Sequence, residues 1–301
     1  RPVALGELLD LGDAALVRSY TAYGTWRAEG DGCWIAGRES RLQLPLVEPA
    51  RGSLVLDLSA DGFLAPGCPR QRLRVAVNGH RVSELVIEHG SELRDEPIVL
   101  PREAVAGRGR LDLVLRTPDA SSPARLGIDD DDRRIGVFVR RARVRAPSAW
   151  EPGSRLMLGE GFDDASMLFD GWAGPEQRGR WMVGRRARLL MRLSRTLPAL
   201  DLEMEAAPFL GPLPRKLTVE LYINDQRVGS VDYEGVDEDP LKPSMTRLAL
   251  PAGTVRDDGD VLIEWRIGDP RSPSSLGLSD DSRELGLFLV GLAVLERKPV
   301  G

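Results

Sequence analysis

Apolar and polar residues alternate in short segments along the chain. In the first half the segments are Leu54-Val-Leu-Asp-Leu-Ser59, Leu73-Arg-Val-Ala-Val-Asn78 and Leu111-Asp-Leu-Val-Leu-Arg116. In the second they are Leu200-Asp-Leu-Glu-Met-Glu205, Leu217-Thr-Val-Glu-Leu-Tyr-Ile223 and Val261-Leu-Ile-Glu-Trp-Arg-Ile267. A period of two gives each segment one face for a core and one for solvent, which is the signature of a β-strand. Asn78-Gly79 between two such segments predicts a tight hairpin turn, and Asn224-Asp225 is its counterpart in the second half. With 22 Pro and 32 Gly spread between the segments, long helices have no room; a single turn is expected near Pro101–Val105. Seven to nine short strands in about 150 residues predict an all-β fold, an antiparallel β-sandwich of the jelly-roll kind.

The pattern occurs twice. Ser122-Pro-Ala-Arg-Leu-Gly-Ile-Asp-Asp-Asp-Asp-Arg-Arg-Ile-Gly136 stands 150 residues before Ser272-Pro-Ser-Ser-Leu-Gly-Leu-Ser-Asp-Asp-Ser-Arg-Glu-Leu-Gly286. Earlier, Glu29-x-x-Gly32-x-Trp34-x-x-Gly37 matches Glu176-x-x-Gly179-x-Trp181-x-x-Gly184, and a Trp precedes each, Trp26 and Trp172. Phe63 matches Phe209, Asn78 matches Asn224, and Leu100-Pro101 matches Leu250-Pro251, all in the same order. Anchors in fixed order indicate an internal duplication. The expected boundaries are 1–147 for the first copy, 152–301 for the second and 148–151 for a short linker. The junction Ala146-Pro-Ser-Ala-Trp-Glu-Pro-Gly153 has turn chemistry and no periodicity.

Composition removes several functions. Lys+Arg 41 against Asp+Glu 46 gives a net charge of −5, which argues against a nucleic-acid partner. The longest apolar run, Leu285 to Leu295, is 11 residues and too short to span a bilayer. Two Cys and two His leave little for a CxxC-type zinc site or a Ser-His-Asp triad, and no cofactor is expected. Cys33 and Cys68 lie only in the first copy, opposite Arg180 and roughly Pro214, and read as free thiols; His80 and His89 read as solvated. Of the 41 basic residues 38 are Arg, a bias typical of GC-rich, most often bacterial, genomes. The chain begins Arg1-Pro2 without Met or an apolar leader, and a longer polypeptide is expected.

The run Trp, Glu-x-x-Gly-x-Trp-x-x-Gly, an Asn-turn hairpin and Ser-Pro-x-x-Leu-Gly-x-x-Asp-x-x-Arg-x-Leu-Gly resembles a bacterial β-sandwich module. It is similar to the carbohydrate-binding-module-like domains appended to envelope and polysaccharide glycosyltransferases, over nearly the whole chain. The resemblance implies a non-catalytic pair that holds an acceptor or growing oligo- or polysaccharide beside a glycosyltransferase domain of the same chain. It implies a cytoplasmic place at the envelope-biosynthesis membrane, with the periplasm as the alternative. A structural or assembly module without glycan binding, and a glycoside-active enzyme, are the other readings.

Sugar sites need a flat aromatic face and planar hydrogen-bonding groups. The residues offering both are Trp26, Glu29, Trp34, Asp130, Asp131 and Arg133 in the first copy, and Trp172, Glu176, Trp181, Asp280, Asp281 and Arg283 in the second. The plainer alternative packs the Trp residues into the core and pairs Glu29 with Arg133 and Glu176 with Arg283, partly buried, to pin a loop. The Asp-rich loops offer oxygens for a structural Ca²⁺, although the spacing is not that of an EF-hand, and Asx-turns with the following Arg are the simpler reading. The copies differ at Asp129/Ser279, Asp132/Ser282 and Arg134/Glu284.

Overall fold

Among the described residues the first half is built on eight principal strands: β1 (Gly32–Ile35), β2 (Glu39–Pro45), β3 (Leu54–Gly62), β4 (Arg70–Val77), β5 (His80–Glu88), β6 (Leu93–Leu100), β7 (Arg110–Arg116) and β8 (Val137–Arg145). The second is built on eight more: β9 (Arg180–Val183), β10 (Arg186–Leu193), β11 (Leu200–Pro208), β12 (Lys216–Ile223), β13 (Gln226–Glu234), β14 (Ser244–Leu250), β15 (Asp260–Ile267) and β16 (Leu285–Glu296). This is a computed structural model that describes residues 1–88, 93–162, 164–195, 197–211, 216–234 and 242–297; at 26–27 and 93–95 it describes the backbone. His89 and Pro214 lie outside the described residues. Two compact units are present, Arg1–Ala146 and Pro147–Gly301.

In the first unit the sheets run β1-β8-β3-β6 and β2-β7-β4-β5, and in the second β9-β16-β11-β14 and β10-β15-β12-β13. First–eighth–third–sixth facing second–seventh–fourth–fifth is the strand order of a jelly roll, with both units alike. Every pairing among these sixteen strands is antiparallel. Thr25–Glu29 adds to β1, Leu8–Asp10 to β8 and Thr21–Tyr23 to β2. At the junction, Ala149–Trp150 pairs in parallel with Arg192–Leu193 on β10.

The core of each unit is filled by the inward faces of its two sheets. Leu54, Leu56, Leu58 and Ala60 of β3 meet Leu73, Val75 and Val77 of β4 and Leu111, Leu113 and Leu115 of β7. Their counterparts are Leu200, Leu202, Met204 and Ala206 with Leu217, Val219, Leu221, Val261, Ile263 and Trp265. The last strand breaks its own alternation. Val137 and Val139 are buried at odd positions, then Ala142 and Val144 at even ones; in the second unit Leu287 and Leu289 give way to Leu292 and Val294. One extra residue in each strand, a β-bulge, makes the change of phase.

The hairpin turns are locked by asparagine. Asn78 and Asn224 hold φ of +48° and +49°, which Asn tolerates better than most residues. The Asn78 Nδ2 group donates to the Ala104 carbonyl at 2.8 Å, and its Oδ1 accepts from the Asp112 N–H at 2.9 Å. Asn224 donates to the Thr254 and Asp260 carbonyls, both at 2.8 Å, and accepts from the Leu262 N–H at 3.0 Å. Each turn is thereby tied to the neighbouring strand of its sheet.

The single turn expected near Pro101 is the helix Arg102–Val105. A second helix, Ala14–Tyr20, was not foreseen. Its signal is Asp13, whose Oδ1 accepts from the Ala15 and Leu16 N–H groups at 2.8 and 3.3 Å as an N-cap. Among the described residues no helix is long and apolar enough to cross a membrane.

The copies solve one buried place differently. Counting from the paired Gly12 and Gly159, Val17 and Cys33 stand where the second unit has Asp164 and Arg180. Asp164 is 0% exposed and accepts two hydrogen bonds from Arg180, at 2.6 Å each. A buried pair is costly to break and cheap to replace whole. Asp164→Ala is expected to lower unfolding free energy by about 3–5 kcal/mol, and the double change Asp164→Val/Arg180→Cys by much less, as read from urea unfolding. Equal losses for the two would contradict the pairing.

Cys33 and Cys68 are buried free thiols. Burial pushes the Cys33 thiol up to about 11, so thiolate is scarce at neutral pH. Mass spectrometry after brief iodoacetamide treatment at pH 8 is expected to find Cys33 unmodified in the folded protein and modified in urea.

Candidate functional site

On the face of the β1/β8 sheet away from the core, Trp34 stands directly across from Phe138. Their ring centroids are 5.0 Å apart, and Phe63 meets the edge of Trp34 at 6.4 Å. The second unit repeats this with Trp181 across from Phe288 at 5.0 Å and Phe209 at 5.9 Å. Trp34 is partly exposed, while Trp181 is 6% exposed. Gly32 and Gly179 are required here, because a Cβ at either would lie 2.6 or 2.9 Å from the Phe138 or Phe288 ring.

The loop after β7 or β15 supplies the polar side. In the first unit Pro123 opens a short 3-10 turn, Ala124–Leu126, closed by Gly127 at φ +70°. The Ala124 N–H reaches back to the Asp131 carbonyl at 2.8 Å. The Asp131 carboxylate accepts from the Arg133 N–H at 2.9 Å and from its guanidinium at 2.8–3.0 Å. Arg133 also binds Glu29. The second unit repeats the Asp281–Arg283 arrangement, with Arg283 3.8 Å from Glu176. Asp129 Oδ1 and Ser279 Oγ serve the same end, accepting from the N–H two residues on at 2.8 and 3.3 Å.

The spacing thus brings Glu29, Asp131 and Arg133 together, and Glu176, Asp281 and Arg283. Both Glu–Arg pairs lie within salt-bridge reach, as expected, with Arg133/Glu29 31/43% and Arg283/Glu176 44/45% exposed. Such pairs are worth little, about 0–1 kcal/mol. Asp130 and Asp280 lie exposed at the loop tips, away from the pairing. Among the described residues no group of three or more His, Cys, Asp or Glu side chains is placed to hold a metal ion.

Trp26 and Trp172 are not counterparts. Trp172 bridges Met182, and Thr25 pairs with Ile35, so Thr25 holds the place of Trp172. Trp172 packs against the core, donates its Nε1–H to the Arg188 carbonyl at 2.7 Å and meets Trp265 edge-on at 5.6 Å. Trp26 lies in Thr25–Glu29, and its side chain is outside the described residues.

In the second unit a cavity of about 260 Å³ is lined by Glu176, Gln177, Arg178, Trp181, Pro243, Phe288 and Val290; of the expected site residues Glu176 and Trp181 line it, while Asp280, Asp281 and Arg283 do not. Sequence reasoning named Glu176 and Trp181 and missed Phe288 and Val290, although Phe138/Phe288 is a matched pair. A wider groove of about 710 Å³ crosses the other sheet of this unit. Several of its charges are paired, Arg186 and Arg188 with Asp170, and Arg266 with Glu264.

No protein-family model matches the chain, and no curated protein matches it significantly. Among solved structures it is similar to the tandem CBM22-1–CBM22-2 domain of Paenibacillus barcinonensis Xyn10C, with 12% identity over 98% of this chain and 99% of that one and a TM-score of 0.33. It is similar to the carbohydrate-binding module CBM36 in complex with calcium and xylotriose, with 13% identity over 47% of this chain and 98% of that one and a TM-score of 0.29. It is also similar to the ANX1 ectodomain from Arabidopsis thaliana, with 12% identity over 94% of this chain and 93% of that one and a TM-score of 0.29. These scores are too low to carry a functional comparison.

The Arg133 and Arg283 guanidinia hold the Asp131 and Asp281 carboxyls below the usual carboxylate range. A lowered acid stabilises the fold above its ordinary pKa of about 3.9 and gives that up as pH falls through the lowered value. The Arg133 and Arg283 Nε–H signals in NMR are therefore expected to stay constant from pH 8 to 5 and to move only below about pH 4. Movement near pH 6 would contradict the pairing.

Proposed function

We propose that the chain is a pair of non-catalytic carbohydrate-binding modules that hold an oligo- or polysaccharide, carried on a glycosyltransferase polypeptide. The observation behind this is the cavity of the second unit, where the walls of Trp181, Phe288 and Val290 meet a rim of Glu176, Gln177 and Arg178. An aromatic wall accepts the C–H face of a pyranose. Carboxylate, amide and guanidinium groups bind its hydroxyls, and a stiff β scaffold holds them in place.

Asp131 and Asp281 are poor candidates for a general acid. A glycosidase needs one acid with a raised pKa. Here Asp131 and Asp281 are pushed down by Arg133 and Arg283. Attachment to a glycosyltransferase, on the cytoplasmic side of the membrane where envelope polymers are made, is supported by the resemblance of the repeated motifs. A structural module without ligand is the second reading, and the pairing of Asp131, Arg133 and Glu29 among themselves favours it.

Affinity electrophoresis of the intact chain through gels containing candidate envelope polysaccharides separates the readings. Retardation by at least one polymer is expected, with Glu176→Gln and Phe288→Leu each weakening it on the order of tenfold, or about 1.4 kcal/mol. Unretarded migration through every gel would leave the structural module as the better account.

A further inference from the structure

The bulge in the last strand falls at the same place in both copies. In β8, Val139 pairs with Ala60 and Arg141 with Ser59, so Arg140 is the extra residue. In β16, Leu289 pairs with Ala206 and Gly291 with Glu205, so Val290 is the extra residue. A bulge re-aims the side chain it carries, and the two copies carry opposite chemistry there.

Arg140 is held from two sides and lies against the aromatic cluster. It binds Asp61 at 2.5 and 2.6 Å and also binds Asp31. Its Cζ lies 5.3 Å from the centroid of the Phe138 ring, within cation–π reach. Beneath it Phe138 is 9% exposed. In the second copy all three positions change together. Val290 stands for Arg140, Arg178 for Asp31, and Ala207, across the ladder from Phe288, for Asp61. There Phe288 is partly exposed and walls the cavity of about 260 Å³ with Trp181, Val290 and Pro243.

We propose that only the second of the two repeated sites accepts a sugar ring, and that in the first copy Arg140 is a built-in plug over the equivalent ring. This rests on the carbohydrate-binding reading. To stack on Phe138 a sugar would have to lift a guanidinium from two carboxylates and a ring face. Among the described residues no guanidinium stacks on Phe288, and the cavity admits about one ring. The duplication then supplies one glycan site per chain and no avidity between copies.

The test uses the full chain and two triple variants, each replacing one trio by the other copy's own residues. Val290→Arg/Ala207→Asp/Arg178→Asp closes the second site, and Arg140→Val/Asp61→Ala/Asp31→Arg opens the first. An array of hexose, N-acetylhexosamine and uronate oligosaccharides supplies the tightest binder for calorimetry, and circular dichroism checks that each variant folds. Expected are one binding site per wild-type chain, at least a tenfold loss on closing the second, and two sites per chain on opening the first. Two sites in the wild type, or unchanged binding after closure, would overturn the assignment while leaving the carbohydrate reading intact. No binding by the wild type to any member of the array would overturn both. If the closing trio fails to fold, Val290→Arg alone takes its place and the stoichiometry of the opening trio decides.

Discussion

Everything in each unit is organised by its last strand, β8 or β16, which must pair along both edges while changing phase in the middle. On one edge it meets β3 or β11, whose core-facing residues, Leu54 to Ala60 and Leu200 to Ala206, keep one alternation throughout. On the other it meets β1 or β9, placing Trp34 across from Phe138 and Trp181 across from Phe288. A strand with a strict period of two cannot satisfy both ends. The bulge absorbs the mismatch, and the residue it ejects comes to lie beside the aromatic pair.

That one position divides the fates of the copies. Arg140 with Asp31 and Asp61 makes a charged cover; Val290 with Arg178 and Ala207 leaves an apolar wall. A second exchange runs the other way in the interior, where Val17 and Cys33 stand for the buried pair Asp164 and Arg180. The repeated anchors survive both exchanges. The turn asparagines Asn78 and Asn224 and the Asp131–Arg133 and Asp281–Arg283 loops keep nearly the same partners in each copy.

The strands and the Glu29–Asp131–Arg133 cluster were legible because alternation and repeat spacing report them directly. The phase change in Val137-Phe-Val-Arg-Arg-Ala-Arg-Val144 went unread, although its apolar positions, 137 and 139 followed by 142 and 144, carry it. Its consequence was not legible, because which side chain a bulge ejects, and toward what, depends on residues of other strands such as Asp61 and Ala207. The matching of Trp26 with Trp172 failed for a similar reason. Identity of residue type suggested equivalence, and the register of Thr25 against Ile35 removed it. The helix Ala14–Tyr20 was hidden because Gly- and Pro-rich composition argued against helices, while its Asp13 cap argued locally for one.

Arg140 stands over the Phe138 ring, and among the described residues no guanidinium stacks on Phe288. Proton relaxation of the Phe ring signals in the presence of a soluble gadolinium chelate tests this difference without any ligand. Strong enhancement is expected at Phe288, weak enhancement at Phe138, and a rise at Phe138 to the level of Phe288 in Arg140→Val. Equal enhancement of the two rings in the wild-type protein, or no change at Phe138 on losing the guanidinium, would contradict it.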